Sequence, residues 1–170
     1  NVYIQGKTMM EDTAYNATYD HQVIQFDSSS NFLRYISMDE ATVMDVMDYD
    51  IYLAHRATIQ KYDTSFHVKW SLTGSSNRMT FSNYGPQGSN GSIMVGNNGH
   101  LVASGFENNA GGKVTFGTVK INFSSAASSD ELFVMEMDTS GTTLWAHTLD
   151  SASTVQELYP HVAVDDSGNV

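Results

Sequence analysis

The 170-residue chain has no cysteine, which removes disulfide scaffolding, thiolate metal sites and cysteine nucleophiles from consideration. Basic residues are scarce: 8 Lys+Arg stand against 19 Asp+Glu, a formal net charge of −11. Phosphate backbones repel so acidic a chain, which argues against direct nucleic-acid binding and for a solvated acidic surface. No apolar run approaches the ~20 residues of a membrane helix, and no signal-peptide pattern is present.

The motifs of familiar chemistries are also missing. Asp45, Asp48 and Asp50 cluster, as do Asp165 and Asp166, but the calcium-loop pattern D-x-[DN]-x-[DN]-G and its closing Glu are absent. These Asp residues therefore read as turn formers, with calcium as the alternative. His21, His55, His67, His100, His147 and His161 include no H-x-x-x-H pair, so a zinc site would need ligands converging from distant segments. No G-x-S-x-G marks a serine nucleophile. The sialidase Asp-box S-x-D-x-G-x-x-W fails, because Asp138 stands three residues before Gly141 and Trp145 four after it. Arg34, Arg56 and Arg78 are the only arginines, too few and scattered for a carboxylate clamp. The quinoprotein pattern A-x-D-x-x-T-G-K-x-x-W overlaps Asp138–Trp145 only loosely, without its Ala or its Gly-Lys pair.

What is present is repetition. Val23-Ile24-Gln25-Phe26-Asp27-Ser28-Ser29-Ser30, Ile59-Gln60-Lys61-Tyr62-Asp63-Thr64-Ser65-Phe66 and Val134-Met135-Glu136-Met137-Asp138-Thr139-Ser140-Gly141 align without gaps. Trp70 and Trp145 follow their Asp at the same distance, while Arg34 takes that place in the first copy. Each copy predicts a hairpin, with Asp and Ser bonding turn N–H groups and β-branched or aromatic residues flanking them. The two tryptophans are expected to pack between neighbouring sheets, and His147 to share a strand face with Trp145.

A second hairpin recurs at Thr42–Ala54, at Ser92–Gly105 and, in part, at Val162–Val170. Asn98-Gly99 and Ser167-Gly168 are its strong turn signals, and Asp48-Tyr49-Asp50 is a weaker form of the same turn. Strands that follow these turns start at Val2, Ile51, Leu101 and Val170, a period of about 50 residues that lengthens to about 70. About four short strands per period predict one four-stranded propeller blade each. Two stretches rich in Gly, Asn and Ser, Gly74–Gly91 (with Pro86) and Glu107–Asp130, read as loop insertions on a propeller face and as the most adaptable recognition surface. Tyr84 and Phe116, one in each, are candidate exposed aromatics for sugar contact. Three N-x-S/T sequons fall at Asn16, Asn90 and Asn122; the first two lie in apparent loops, the third beside the strand-like Val119-Lys120-Ile121.

F-V-M-E-M-D-T-S-G-T-T-L-W and V-A-V-D-D-S-G-N-V, continued by the opening V-Y-I-Q-G-K-T, resemble the bacterial-type β-propeller repeat often called SBBP. The resemblance is close in the third copy and at the join of the two ends, and covers the rest at the level of period. It implies a secreted or cell-surface scaffold and supplies no catalytic residues to carry over.

The sequence thus predicts an all-β fold: a partial β-propeller of about three four-stranded antiparallel blades, with repeats near 1–50, 51–100 and 101–170. Joining the end to the beginning gives D-D-S-G-N-V-Y-I-Q-G, one hairpin, so a window on a longer array is expected, partnered by the remaining blades. The expected function is a non-catalytic extracellular or cell-surface scaffold or binding module for protein or glycan, with no catalytic, cofactor or metal residues assigned. The alternative is a glycan-processing or quinone-dependent enzyme with its site on the propeller axis.

Overall fold

A computed structural model describes residues 2–10, 18–38, 43–76, 79–81, 91–107, 112–123, 131–149, 161–165, 167 and 169–170. All regular elements among them are strands, paired antiparallel throughout. The chain divides into two compact units, Asn1–Thr42 and Val43–Val170.

The first unit is a three-stranded meander of β1 (Val2–Met10), β2 (Thr18–Phe26) and β3 (Phe32–Met38). Val23, Gln25 and Met38 are buried, whereas Phe32 and Tyr35 on the opposite face are exposed.

The second unit holds two four-stranded meanders. One runs β4 (Val43–Met47), β5 (Asp50–His55), β6 (Thr58–Tyr62), β7 (Val68–Thr73) in chain order. The strands that follow are β8 (Met79–Thr80), β9 (Ser92–Val95), β10 (His100–Glu107), β11 (Gly112–Phe116), β12 (Val119–Phe123), β13 (Glu131–Asp138) and β14 (Thr143–Leu149). Of these, β9-β10-β13-β14 repeat the meander; β8 joins the edge of β10 at Phe106–Glu107, and β11–β12 form a hairpin inserted between β10 and β13. Repeat limits at 50/51 and 100/101 pass through the β4–β5 and β9–β10 hairpins, so each sheet joins the end of one sequence period to the start of the next.

The register shows how closely the copies match. Val2↔Phe26, Ile51↔Tyr62 and Leu101↔Met137 are equivalent pairs. A β-bulge falls at one place in all three sheets, beside Gln25/Phe26, Lys61/Tyr62 and Glu136/Met137. The extra residue, Leu33, Lys69 or Leu144, is exposed each time, and a bulge there sharpens the twist where the hairpin ends.

The turn after each bulge is one hydrogen-bonded device. Asp27 Oδ1 accepts from the N–H of Ser29 and Asn31, Asp63 Oδ1 from Ser65 and His67, and Asp138 Oδ1 from Ser140 and Thr142. The residue three after the Asp adopts positive φ: Ser30 at 64°, Phe66 at 62° and Gly141 at 89°. Asp165 forms the same bonds with Ser167 and Asn169.

The β4–β5 turn differs from the expected weaker copy. It is a two-residue loop with Asp48 and Tyr49 both at positive φ, the mirror-image geometry that matches strand twist. The β9–β10 turn is longer, closed by Gly96 and His100, with positive φ at Gly99 alone.

Hydrogen bonds hold the three Asp carboxyls below their ordinary value of 3.8. The Ser140 hydroxyl is the leading cause for Asp138, the His67 backbone N–H for Asp63 and the Asn31 side chain for Asp27. A depressed folded pKa contributes stability above the unfolded value and loses it as pH falls through the folded one. Acid melts should therefore show stability declining below pH 3.8, and replacing all three Asp by Asn should flatten that decline. An unchanged acid slope would show that these turns do not contribute.

The two meanders of the second unit share one core. The β4–β7 face carrying Tyr52, Ala54, Ile59, Trp70 and Leu72 packs with the β9–β14 face carrying Leu101, Ala103, Phe133, Met135 and Met137.

Described residues of both expected insertions contribute to that core. Phe81, at the end of the described part of the first, is fully buried. Val114, Phe116, Ile121 and Phe123 of the β11–β12 hairpin are buried as well. Composition suggested loops, but the alternation of Val114/Phe116 and Ile121/Phe123 gives the hairpin one apolar face that must be covered. Phe116 is consequently no sugar platform: its ring lies 5.9 Å from Phe81 and 6.4 Å from Phe133. Tyr84, Pro86, Asn16 and Asn90 lie outside the described residues. Asn122 is exposed on β12, opposite Lys113.

Candidate functional site

The most organised polar geometry lies where one sheet meets the next. Trp70, on β7, donates its Nε1–H to the carbonyl of Thr139 at 3.0 Å, in the Asp138 turn of the other sheet. Lys61 Nζ donates to the same carbonyl at 3.2 Å. Gly141 lies against the Trp70 ring, where an added Cβ would come within 2.9 Å. Lys61 also pairs with Asp50 at 2.8 Å and lies 5.2 Å from the centroid of Tyr52, while Lys69 bonds the other Asp50 oxygen. Burial raises the Asp50 carboxyl, but the hydrogen bonds and charges of Lys61 and Lys69 outweigh it, leaving a net lowering. For Lys61, burial acts downward and is overcome by Asp50 and Tyr52, for a net rise.

The same three register positions in the second sheet carry His100, Glu136 and Trp145. Glu136 accepts from both the His100 ring and Trp145 Nε1–H, and His147 lies over Trp145 with ring centroids 5.4 Å apart. The acid–base order is reversed: acid then base in Asp50–Lys61, base then acid in His100–Glu136. In the first unit Gln25 stands at the Lys61 position, and its Nε2 donates to the hydroxyl of Tyr3, at the Tyr52 position. Trp70 packs between sheets as expected, and His147 shares its face with Trp145 as expected.

No motif singles out Lys61, Glu136 or Gly141. Their signal was one of position: Gly141 replaces Ser30 and Phe66 only in the copy that receives the preceding sheet's tryptophan.

A second contact recurs along the first strand of each meander. Asp45 Oδ2 on β4 accepts the N–H of Val95 at 2.6 Å. Met94, at the Asp45 position of β9, accepts the N–H of Val164 through its sulfur at 3.3 Å. Val162 N–H donates to Ser92 Oγ at 2.6 Å. Segment 161–165 thus lies against β9 as β9 lies against β4.

The acidic cluster does not converge. Asp45 serves backbone N–H groups, Asp48 is exposed in its turn and Asp50 serves two lysines. The histidines are dispersed too: His55 bonds Gln60, His67 bonds Asp63 and His161 is exposed. No group of three or more His, Asp or Glu gathers in metal-binding geometry among the described residues. Glu107 and Glu131, both buried, occupy directly opposite positions on β10 and β13, and Ser76 donates to Glu107 at 3.3 Å. No helix is long and apolar enough to cross a membrane among the described residues.

These features define an all-β protein of repeated antiparallel meanders. No protein-family model matches the chain, and no curated protein matches it.

Proposed function

We propose that the chain is part of a β-propeller that serves as a non-catalytic scaffold and binding module for protein or glycan at the cell exterior. The observation that carries the reading is the recurring step between sheets. The residue at one register position, Asp45 then Met94, accepts one equivalent N–H of the following unit, Val95 then Val164. A repeated step with twisted, bulged four-stranded sheets is how blades are added around an axis. Resemblance of Phe133–Trp145 to the SBBP repeat supports the extracellular setting and the binding role, and the remaining blades are the first partner.

Two measurements test it. A crystal structure should show successive sheets related by one rotation about a shared axis; sheets stacked without rotation would overturn the propeller. Incubation with a glycan panel and with extracellular proteins should give reversible binding with the ligand recovered intact. Recovery of cleaved or oxidised product would overturn the non-catalytic role.

A further inference from the structure

We propose that Met94 is an oxidation site: a peroxide-class oxidant converts its thioether to the sulfoxide and loosens the hold of β9 on segment 161–165. The inference rests on the recurring step between sheets described above and adds a chemical sensitivity to one of its two instances.

Alternate residues of a strand share a face, and Ser92, Met94 and Gly96 together seat the segment. Ser92 Oγ accepts the Val162 N–H at 2.6 Å, and Met94 Sδ accepts the Val164 N–H at 3.3 Å. At Gly96 an added Cβ would come within 2.8 Å of Val164 Cγ1, so the segment passes close there too. The equivalent acceptor on β4 is the Asp45 carboxylate, 2.6 Å from the nitrogen of Val95. The two side chains perform one task, but a peroxide alters only the thioether.

That thioether is within reach of solvent. The chain has no cysteine, so methionine carries all its sulfur. Met79, Met135 and Met137 are 1%, 0% and 0% exposed, whereas Met44, Met47 and Met94 are half-buried. Of these, Met94 is the one whose sulfur accepts a hydrogen bond among the described residues. Asp45, which has the β9–β14 sheet set beyond it, is half-buried as well. A following sheet therefore does not by itself close this position to small molecules.

Sulfoxidation begins when a sulfur lone pair attacks one peroxide oxygen. The S–O bond forms as the O–O bond breaks, so sulfur is oxidised by two electrons and the peroxide is reduced. The proton of the transferred OH passes to the departing oxygen, which leaves as water or an alcohol. The product is polar and chiral, and its oxygen projects from the atom that the Val164 N–H approached. An N–H···O bond needs about 2.9 Å by itself, so the 3.3 Å between sulfur and nitrogen cannot hold an interposed oxygen. Either the oxygen turns aside and the N–H loses its acceptor, or the segment lifts from β9. Both outcomes release the Val164 amide.

The test uses the whole chain and dilute hydrogen peroxide. Peptide mass mapping should find one oxygen added at Met94 at least ~10-fold faster than at Met135 or Met137. Amide hydrogen exchange of Val164, resolved by NMR, should then rise at least ~3-fold, and fall back when sulfoxide reductases restore the thioether. Met94→Asp, which copies Asp45, should keep Val164 protected and abolish the response to peroxide. Met94→Leu should exchange like the oxidised chain whether or not peroxide is added. Oxidation of Met94 no faster than of the buried methionines, or unchanged exchange at Val164 once the sulfoxide has formed, would overturn the proposal and leave the stacked sheets standing. A Val164 amide that exchanges freely before any oxidant is added would remove the Met94–Val164 contact itself, and with it the propeller reading that the contact carries.

Discussion

Phe133→Ala should destabilise the second unit by about 3–5 kcal/mol, the largest effect expected of any single truncation in this chain. Phe133 is fully buried, with ring centroids 5.4 Å from Phe81, 6.2 Å from Phe123 and 6.4 Å from Phe116. It therefore joins the β9–β14 sheet, the β11–β12 hairpin and the segment ending at Phe81. Opposite it on β10 stands Gly105, where an added Cβ would come within 2.8 Å of the ring and 2.5 Å of the Thr80 carbonyl. Backbone on one side and three other aromatic rings on the other leave little room for collapse, so the cavity persists and its cost adds to the lost burial. Urea titration should show a lower midpoint with an unchanged slope, and thermal melting a drop of roughly 10 °C or more. A loss below about 1 kcal/mol would mean that the aromatic cluster is not the core of this unit.

Gly141→Ala is expected to remove about 2–3 kcal/mol, from two causes that can be separated. The φ of 89° is left-handed, which disfavours any residue with a Cβ by roughly 1–2 kcal/mol. The Cβ would also press on Trp70 at 2.9 Å, and displacing the indole breaks its bond to Thr139, a loss of about 1 kcal/mol. In a Trp70→Ala background only the backbone cost should remain, so the two substitutions should couple by at least ~1 kcal/mol in a double-mutant cycle. Additive behaviour would show that Trp70 does not rest on this turn. Ser30→Gly, at the equivalent position of the first unit, should be neutral or stabilising, because there the glycine relieves a positive φ.

Strand chemistry was largely legible in the chain. The Asp-Ser/Thr-Ser turns and their flanking β-formers folded into the hairpins that their residues imply, and Asn98-Gly99 closes a hairpin as its type suggests. Less legible were features that depend on counting residues against a partner strand. The bulge after Gln25, Lys61 and Glu136 leaves no mark of its own, because its extra residue is Leu33, Lys69 or Leu144, with no common chemistry. Asp48-Tyr49-Asp50 reads as a weaker form of the Asn98-Gly99 turn, yet the loop length set by pairing Met47 with Asp50 gives it another geometry. Composition hid part of the two insertions: their Gly, Asn and Ser read as exposed loops, while Met79, Phe81, Val114, Phe116, Ile121 and Phe123 belong to the core.

The sequence by itself determined the class of fold and the local devices, since turn bonds and period-two alternation act between residues near one another in the chain. It also determined the absence of thiol chemistry and the acidic surface, which follow from composition alone. Only the tertiary structure decided which polar residues meet. Asp45 reaches Val95, Trp70 and Lys61 reach Thr139, and His100 reaches Glu136 across separations of 50, 69, 78 and 36 residues. No local rule specifies such pairs, because each exists only when one sheet's face is set against another strand or sheet in a fixed register.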